Sequence, residues 1–267
     1  MTTTQSTDEA LVLRADRADG LTTLTLNRPG QFNSLSKDML TALQAELDAI
    51  AGNESVRVVV IAGAGKAFCA GHDLKEMRGN HSKEFMQALF KQCGDLMLTI
   101  TRLPQPVIAR VHGIATAAGC QLVSMCDLAV AADVARFAVS GINVGLFCST
   151  PAVGLARNLG RKAALEMLLT GDFVDALEAK SRGLVNRVVP TDALDAEIER
   201  LAQSILAKSA VAVRMGKGMF YKQLEMGLVE AYNYAGEVMA CNMMSADAAE
   251  GIDAFMQKRK PNYTGTP

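Results

Sequence analysis

Two short segments of this chain combine small residues with the backbone needed to hold an anionic oxygen. The first, Gly65-Lys-Ala-Phe-Cys-Ala-Gly71-His72-Asp73-Leu74, follows an apolar run that ends at Ala62. The second, Gly113-Ile-Ala-Thr-Ala-Ala118-Gly119-Cys-Gln121, follows another such run and opens a helix on alanine and glycine. Backbone N–H groups at a helix start point outward and favour negative charge. Small side chains let a ligand oxygen reach them. One such loop is commonplace, and the first reads equally well as an ordinary tight turn. Two of them, each at the end of a buried strand, can converge on one oxygen and form an oxyanion hole. Gly63-Ala-Gly65-Lys66 does not make a phosphate loop, because Val60 and Ala67 stand where that pattern needs glycine and a hydroxyl residue.

Few other side chains offer chemistry. Histidine occurs at 72, 81 and 112 alone, and the cysteines at 69, 93, 120, 126, 148 and 241 form neither a CxxC pair nor a cluster with histidine. Reduced, core-filling thiols are the expectation, with no metal site. In Phe147-Cys148-Ser149-Thr150-Pro151, Ser149 has no base beside it in sequence and reads as the cap of a helix beginning near Pro151. Cys148 is a possible nucleophile, although nothing nearby in sequence lowers its pKa. Asp127 reads as the start of a strand.

The elements that position these residues follow from periodicity. Residues 21–27 alternate apolar and polar, as a half-buried strand does, with 11–14 as its partner and Arg28-Pro29-Gly30 as the turn that follows. Ser36 is an N-cap candidate for a helix whose apolar face is Leu40, Leu43, Leu47 and Ile50. The β-branched run 57–62 marks a strand covered on both faces, followed by a glycine-punctuated loop to Leu74. Residues 82–102 read as a helix ended by Pro104 and Pro106. Strands follow at 106–112, 127–132 and 136–139, with a small-residue loop at 113–119 that feeds a short helix through Gln121 to Met125. Residues 161–169 and 175–182 are helical, 184–189 is a last strand, and from Ala193 nearly everything favours helix. The class is α/β with mixed sheets, a region 1–192 carrying the strands and a helical region 193–267.

The 267 residues carry 27 Lys and Arg against 28 Asp and Glu, with no tryptophan. A near-zero balance and few aromatic residues argue against nucleic-acid binding. No apolar run approaches the roughly 18–20 residues of a spanning helix, so no membrane role is expected. The polar, acidic first ten residues lack the pattern of a secretory or organellar leader, which makes a cytoplasmic location the default.

Asn27-Arg28-Pro29, Asn33-Ser-Leu35 and Phe68-Cys-Ala-Gly71-His72-Asp73-Leu74 together resemble the crotonase superfamily, the enoyl-CoA hydratase/isomerase proteins. So do Gln105 before Pro106-Val-Ile-Ala109, Cys126-Asp127-Leu128-Ala129, Thr170-Gly171 with Ala179, Gly183-Leu184-Val185, and the ending from Gly251 to Tyr263. The segment 143–151 is most similar to the branch of hydratase-domain-containing proteins. The resemblance implies a crotonase-like ββα spiral with a helical C-terminal trimerisation region, assembled as a homotrimer or a dimer of trimers. It implies an acyl-CoA thioester as ligand, with coenzyme A arriving as part of the substrate and no covalently bound cofactor. It places the thioester oxygen between the backbone amides of His72 and Ala118, the latter where relatives more often have glycine.

The family's two catalytic glutamates fall on Gln121 and Gly141, so both carboxylates are missing. A carboxamide takes no proton from water at neutral pH and glycine has no side chain; a positioned acid/base is worth about 100–10,000-fold. Ordinary hydration is therefore doubtful. Some isomerases of the family carry an aspartate at the position of Ser149. The same resemblance assigns Ala70, Asp73, Leu74, Ala117, Gly141, Val144 and Lys258 to substrate contacts, Lys258 facing a CoA phosphate. Asp73 is expected to bond loop amides. The alternative reading is a non-catalytic acyl-CoA binder or a structural subunit.

Overall fold

The computed structural model describes residues 10–265. Its ten strands are β1 (Val12–Asp16), β2 (Leu21–Leu26), β3 (Val58–Gly63), β4 (Ala67–Cys69), β5 (Val107–Val111), β6 (Ile114–Thr116), β7 (Leu128–Ala132), β8 (Arg136–Ala138), β9 (Val174–Asp175) and β10 (Arg187–Val189). The helices are α1 (Lys37–Ala51), α2 (Leu74–Gly79), α3 (Lys83–Arg102), α4 (Ala118–Met125), α5 (Ser149–Asn158), α6 (Arg161–Thr170), α7 (Ala176–Ser181), α8 (Leu194–Leu206), α9 (Ala210–Gln223), α10 (Leu228–Met243) and α11 (Ala246–Met256).

A six-stranded sheet runs β1-β2-β3-β5-β7-β10 and a four-stranded sheet β4-β6-β8-β9. The chain visits them in turn: β3 then β4, β5 then β6, β7 then β8, with helices closing each circuit. This is the expected ββα spiral. β2, β3, β5, β7 and β10 pair in parallel, as do β4, β6 and β8, while β1 and β9 join antiparallel. A parallel sheet has to be covered on both faces, and β3 shows how. Val59 and Ile61 point into the main core, while Val58 and Val60 point to a second one completed by Leu194, Ile198 and Leu201 of α8. Each such side chain contributes roughly 1.5–3 kcal/mol when fully buried.

Several expectations hold locally. Ser36 caps α1 by accepting from the Met39 N–H, and Met39, Leu40, Leu43, Leu47 and Ile50 are its buried face. Asp127 immediately precedes β7 and accepts from the Val107 N–H at 2.6 Å, from Lys217 Nζ at 2.6 Å and from the Tyr221 hydroxyl at 2.8 Å. That ion pair fastens α9 to the spiral.

Four expectations need correction. The glycine-punctuated loop to Leu74 contains β4, and the loop 113–119 contains β6. Three residues are too few to show an alternation, so only the pairing partner defines these strands. The last strand is only Arg187–Val189. Ser149 is not the cap of α5: the helix starts on Ser149 itself, Cys148 is the cap residue, and the Ser149 hydroxyl donates to the Phe147 carbonyl. Among the described residues no helix is long and apolar enough to cross a membrane. The leader reading rests on the first residues, of which 1–9 lie outside the described ones.

Candidate active site

Parallel pairing of β4, β6 and β8 brings three strand ends side by side: Ala67 faces Ile114, and Thr116 faces Ala138. The segments that leave them are Ala70-Gly71-His72, Ala117-Ala118 and Ser140-Gly141. Ligands of parallel sheets bind outside such carboxyl ends. The first two segments are in contact. Gly71 has φ +92°, and a Cβ on it would lie 3.3 Å from the Ala118 nitrogen and 2.9 Å from the Ala117 Cβ. The Thr116 hydroxyl donates to the Ala70 carbonyl at 3.0 Å and ties them further.

Ala117 sets the direction of the second amide. Its φ of 49° with ψ of −118° is a conformation that alanine rarely adopts, and holding it costs about 1–3 kcal/mol. The Ala117 N–H is spent on the Ala138 carbonyl, and its own carbonyl accepts from Gln121. Ala118 is then the first residue of α4, where N–H groups have no partner within the helix. Neither the His72 nor the Ala118 N–H donates to another described residue.

A bracket of buried polar side chains positions the His72 segment. Asn33, fully buried with φ 55°, donates to the carbonyls of Ala64, Ala67 and Phe68 and accepts from the Arg28 N–H. Leu35 then bonds the Gly71 carbonyl at 2.8 Å. Asp73 caps α2 through the Lys75 and Glu76 N–H groups, as expected of a loop-bonding carboxylate, and pairs with Arg28 at 2.7 Å. Burial alone raises the Asp73 pKa, but Arg28 and the two amides outweigh it and hold the carboxyl below its usual range. Sequence reading quoted Arg28 and Asn33 without giving either this role. Their signal was weak: an isolated asparagine near a turn.

Beside these segments is an apolar cavity of about 280 Å³. That is roughly twice the ~150 Å³ void that takes a benzene ring. Of the expected residues, Ala70, His72, Leu74, Ala117, Ala118, Gly141, Val144 and Ser149 line it. Phe90 of α3 and Cys148 line it too; nothing in the sequence had singled out Phe90. Asp73 is outside the lining, held by Arg28 and the start of α2. Lys258 follows α11 in a left-handed turn and is not part of the lining. Gln121 is only 4% exposed and is also outside the lining, with its Oε1 buried and unpartnered.

Two residues of the lining carry groups with shifted pKa values, His72 and Cys148. His72 Nδ1 bonds the Leu35 carbonyl at 3.1 Å, the Phe90 ring packs edge-on at 5.6 Å, and Nε2 is buried without a partner. Burial lowers the imidazole pKa, and the Leu35 contact only partly opposes this. Burial raises the Cys148 thiol, with the Gly141 N–H pulling the other way. At Gly141 a Cβ would lie 2.6 Å from the Leu146 carbonyl oxygen and 2.7 Å from Cys148 Sγ. No larger residue fits there unless these atoms move.

The chain is similar to known proteins along nearly its whole length. A family model described as enoyl-CoA hydratase/isomerase matches residues 16–266. A crystal structure of an enoyl-CoA hydratase from Mycobacterium smegmatis is 62% identical, covers 96% of this chain and 99% of its own, and superposes with a TM-score of 0.95. Human enoyl-CoA hydratase domain-containing protein 3 is 44% identical over 95% of this chain and all of that structure, with a TM-score of 0.92. The rat protein of that name, called mitochondrial, is 45% identical over 92% of this chain and 82% of its own length. The spiral, the C-terminal helices and these matches agree: the chain belongs to the enoyl-CoA hydratase/isomerase family.

Proposed function

We propose that this protein binds an acyl-CoA thioester with the acyl group in the apolar cavity and the thioester oxygen between the His72 and Ala118 N–H groups. The observation that carries this reading is the close contact of the Gly71 and Ala117-Ala118 segments in the lining of that cavity, with the His72 and Ala118 N–H groups given to no described acceptor. Donors fixed in advance stabilise the negative charge that grows on oxygen in an enolate, and each is worth about 100–1,000-fold in rate. Addition of water is not part of the proposal. Gln121 and Gly141 stand where the resemblance puts the hydratase carboxylates, and no acidic side chain lines the cavity.

That same lack favours a second reading, an acyl-CoA binder or structural subunit without turnover. Exposed Phe220, Leu224, Leu228, Tyr232, Met244 and Phe255 on and around α9 to α11 support a homotrimer or a dimer of trimers. We place Lys258 against a CoA phosphate, retain the division into 1–192 and 193–267, and expect a cytoplasmic protein. Cell fractionation checks the last point, since the vertebrate relatives are named mitochondrial. The deciding experiment follows crotonyl-CoA by its enoyl-thioester absorbance and titrates acetoacetyl-CoA on the same sample. Binding without hydration is expected. Hydration well above that of a Gln121→Ala variant refutes the argument from missing acids, and failure to bind either thioester refutes the site.

A further inference from the structure

A second cavity, of about 220 Å³, lies where β3 and β5 begin and shares no lining residue with the first. It is closed by the chain between α1 and β3, the turn before β5, the end of α8 and the start of α9. Val56, Pro104, Ile205 and Val213 give it a hydrocarbon wall. Its charged side chains are Arg57, Arg214 and Glu54. The helix ends at the wall offset each other, because α1 finishes at Ala51 and α9 begins at Ala210. The arginines therefore decide the sign of the charge that the cavity favours.

Neither arginine is tightly paired. Arg57 Nη2 donates to the Lys208 carbonyl at 2.8 Å, a neutral acceptor, and among the described residues no carboxylate pairs with it. Burial lowers its pKa; the positive charge of Arg214 adds to this, and Asp247 opposes both. The Asp247 oxygens are already engaged, accepting from the Ser209 hydroxyl at 2.6 Å and from the Thr264 and Gly265 N–H groups. Arg214 Nη1 is 3.7 Å from Glu54 Oε1, beyond hydrogen-bond reach, and the Glu54 side chain is 90% exposed. A loose, exposed pair of that kind contributes little. Two guanidinium groups thus share one recess with most of their donors unspent.

We propose that this cavity is a second ligand site, for a small organic carboxylate whose oxygens accept from Arg57 and Arg214 and whose hydrocarbon body lies against Val56, Pro104, Ile205 and Val213. The planar guanidinium fork matches a carboxylate and is weakly hydrated, so it suits a half-buried anion site. The wall selects a ligand with an apolar body over a bare anion. The volume sets the size: a void of ~150 Å³ takes a benzene ring, so a single ring or a short chain fits. Glu54 leaves Arg214 for solvent when the ligand arrives. The site is separate from the thioester cavity and does not depend on the acyl-CoA reading.

The test titrates benzoate into the full-length protein by calorimetry, with benzamide and inorganic phosphate as comparison probes. Benzoate binds with a Kd of about 1 mM or below, and benzamide and phosphate bind at least about 10-fold more weakly. Arg214→Gln weakens benzoate by about 10-fold or more, and Glu54→Gln strengthens it. Arg57→Lys, which keeps the charge and loses the fork, weakens it as well; Arg214→Gln decides the matter should that variant be poorly folded. Benzoate affinity is the same with and without saturating acetoacetyl-CoA. Absence of benzoate binding at about 10 mM, equal binding of benzamide, or an Arg214→Gln protein that binds as wild type does overturns the site. Displacement of benzoate by acetoacetyl-CoA overturns it too, by placing the probe in the thioester cavity. Phosphate binding as tightly as benzoate overturns the choice of a carboxylate with an apolar body.

Discussion

Gly119→Ala tests whether the two loops have to meet. A Cβ at this position would lie 2.1 Å from the Cys69 carbonyl oxygen and 2.7 Å from its carbon, where ordinary contact begins at 3.4 Å. Both atoms are backbone, so no side chain can swing aside and α4 has to move away from β4 by about 1 Å. Forcing one methyl into such packing costs ~1–3 kcal/mol, and the backbone obstacle places this case at the upper end. The move also carries the Ala118 N–H away from the His72 segment, which follows directly from β4. Losing one hydrogen bond to a charged oxygen removes ~1.5–3 kcal/mol, or roughly 10–100-fold in affinity. Gly94→Ala is the control: it lies inside α3 with nothing within 4 Å of the new methyl. That variant gains about 0.5–1 kcal/mol from helix propensity. Urea midpoints at constant slope give the stabilities, and acetoacetyl-CoA titration gives the affinities. A Gly119→Ala protein within about 0.5 kcal/mol of wild type, binding with unchanged affinity, would refute the claim that this close approach builds the site.

Lys217→Met leaves Asp127 buried without its cation and frees the Ile100 and Gln105 carbonyls that Nζ also bonds at 2.9 Å. The expected loss in urea unfolding is about 3–5 kcal/mol, much of it recovered when Asp127→Asn is added; a loss below about 1 kcal/mol shows the pair is idle. Asp73 has a depressed folded pKa, so its stabilisation is complete above its ordinary 3.8 and disappears as pH falls through the folded value. Asp73→Asn therefore flattens the loss of stability on acidification below that point, and wild type and variant declining in parallel would contradict the assignment. Gly141→Glu destabilises by about 1–3 kcal/mol because its Cβ meets Leu146 and Cys148. It confers no crotonyl-CoA hydration, and a gain of hydration would show that the loop yields.

The large sheet was legible because its strands are long enough to display a pattern. Residues 21–27 alternate, 57–62 do not, and the structure gives the reason: β3 serves a core on each face. The small sheet was not legible. β4 and β6 have three residues each, and only their pairing with each other and of β6 with β8 makes them strands. The site shows the same division. Gly71 and Ala118 stand out by residue type, so the two loops could be suspected from sequence. Their contact, and the bracket by Asn33 and Arg28, depend on the register of β4 with β6 and have no local signature. Lys217 lies 90 residues from Asp127, and nothing around either one announces the pair.

An oxyanion site built from backbone amides asks of each residue only that its Cβ stay clear and its φ be reachable. His72 and Ala118 satisfy that with side chains of quite different kinds, while the clearance falls on Gly71 and Gly119, where a methyl would sit 2.9 Å or less from a neighbour. Acid/base chemistry makes the opposite demand, because it needs one functional group at one place. The two functions can therefore separate within one fold. A chain can hold the amides in position while the groups that move protons change from carboxylates to others, provided the backbone around them is reshaped to fit. Gly141 shows such reshaping: the space beside it is taken by the Cys148 sulfur and the Leu146 carbonyl, so restoring a carboxylate there means moving the 146–148 segment as well. Within this family, resemblance of the loops thus argues for the bound thioester, and only the side chains lining the cavity argue for the reaction.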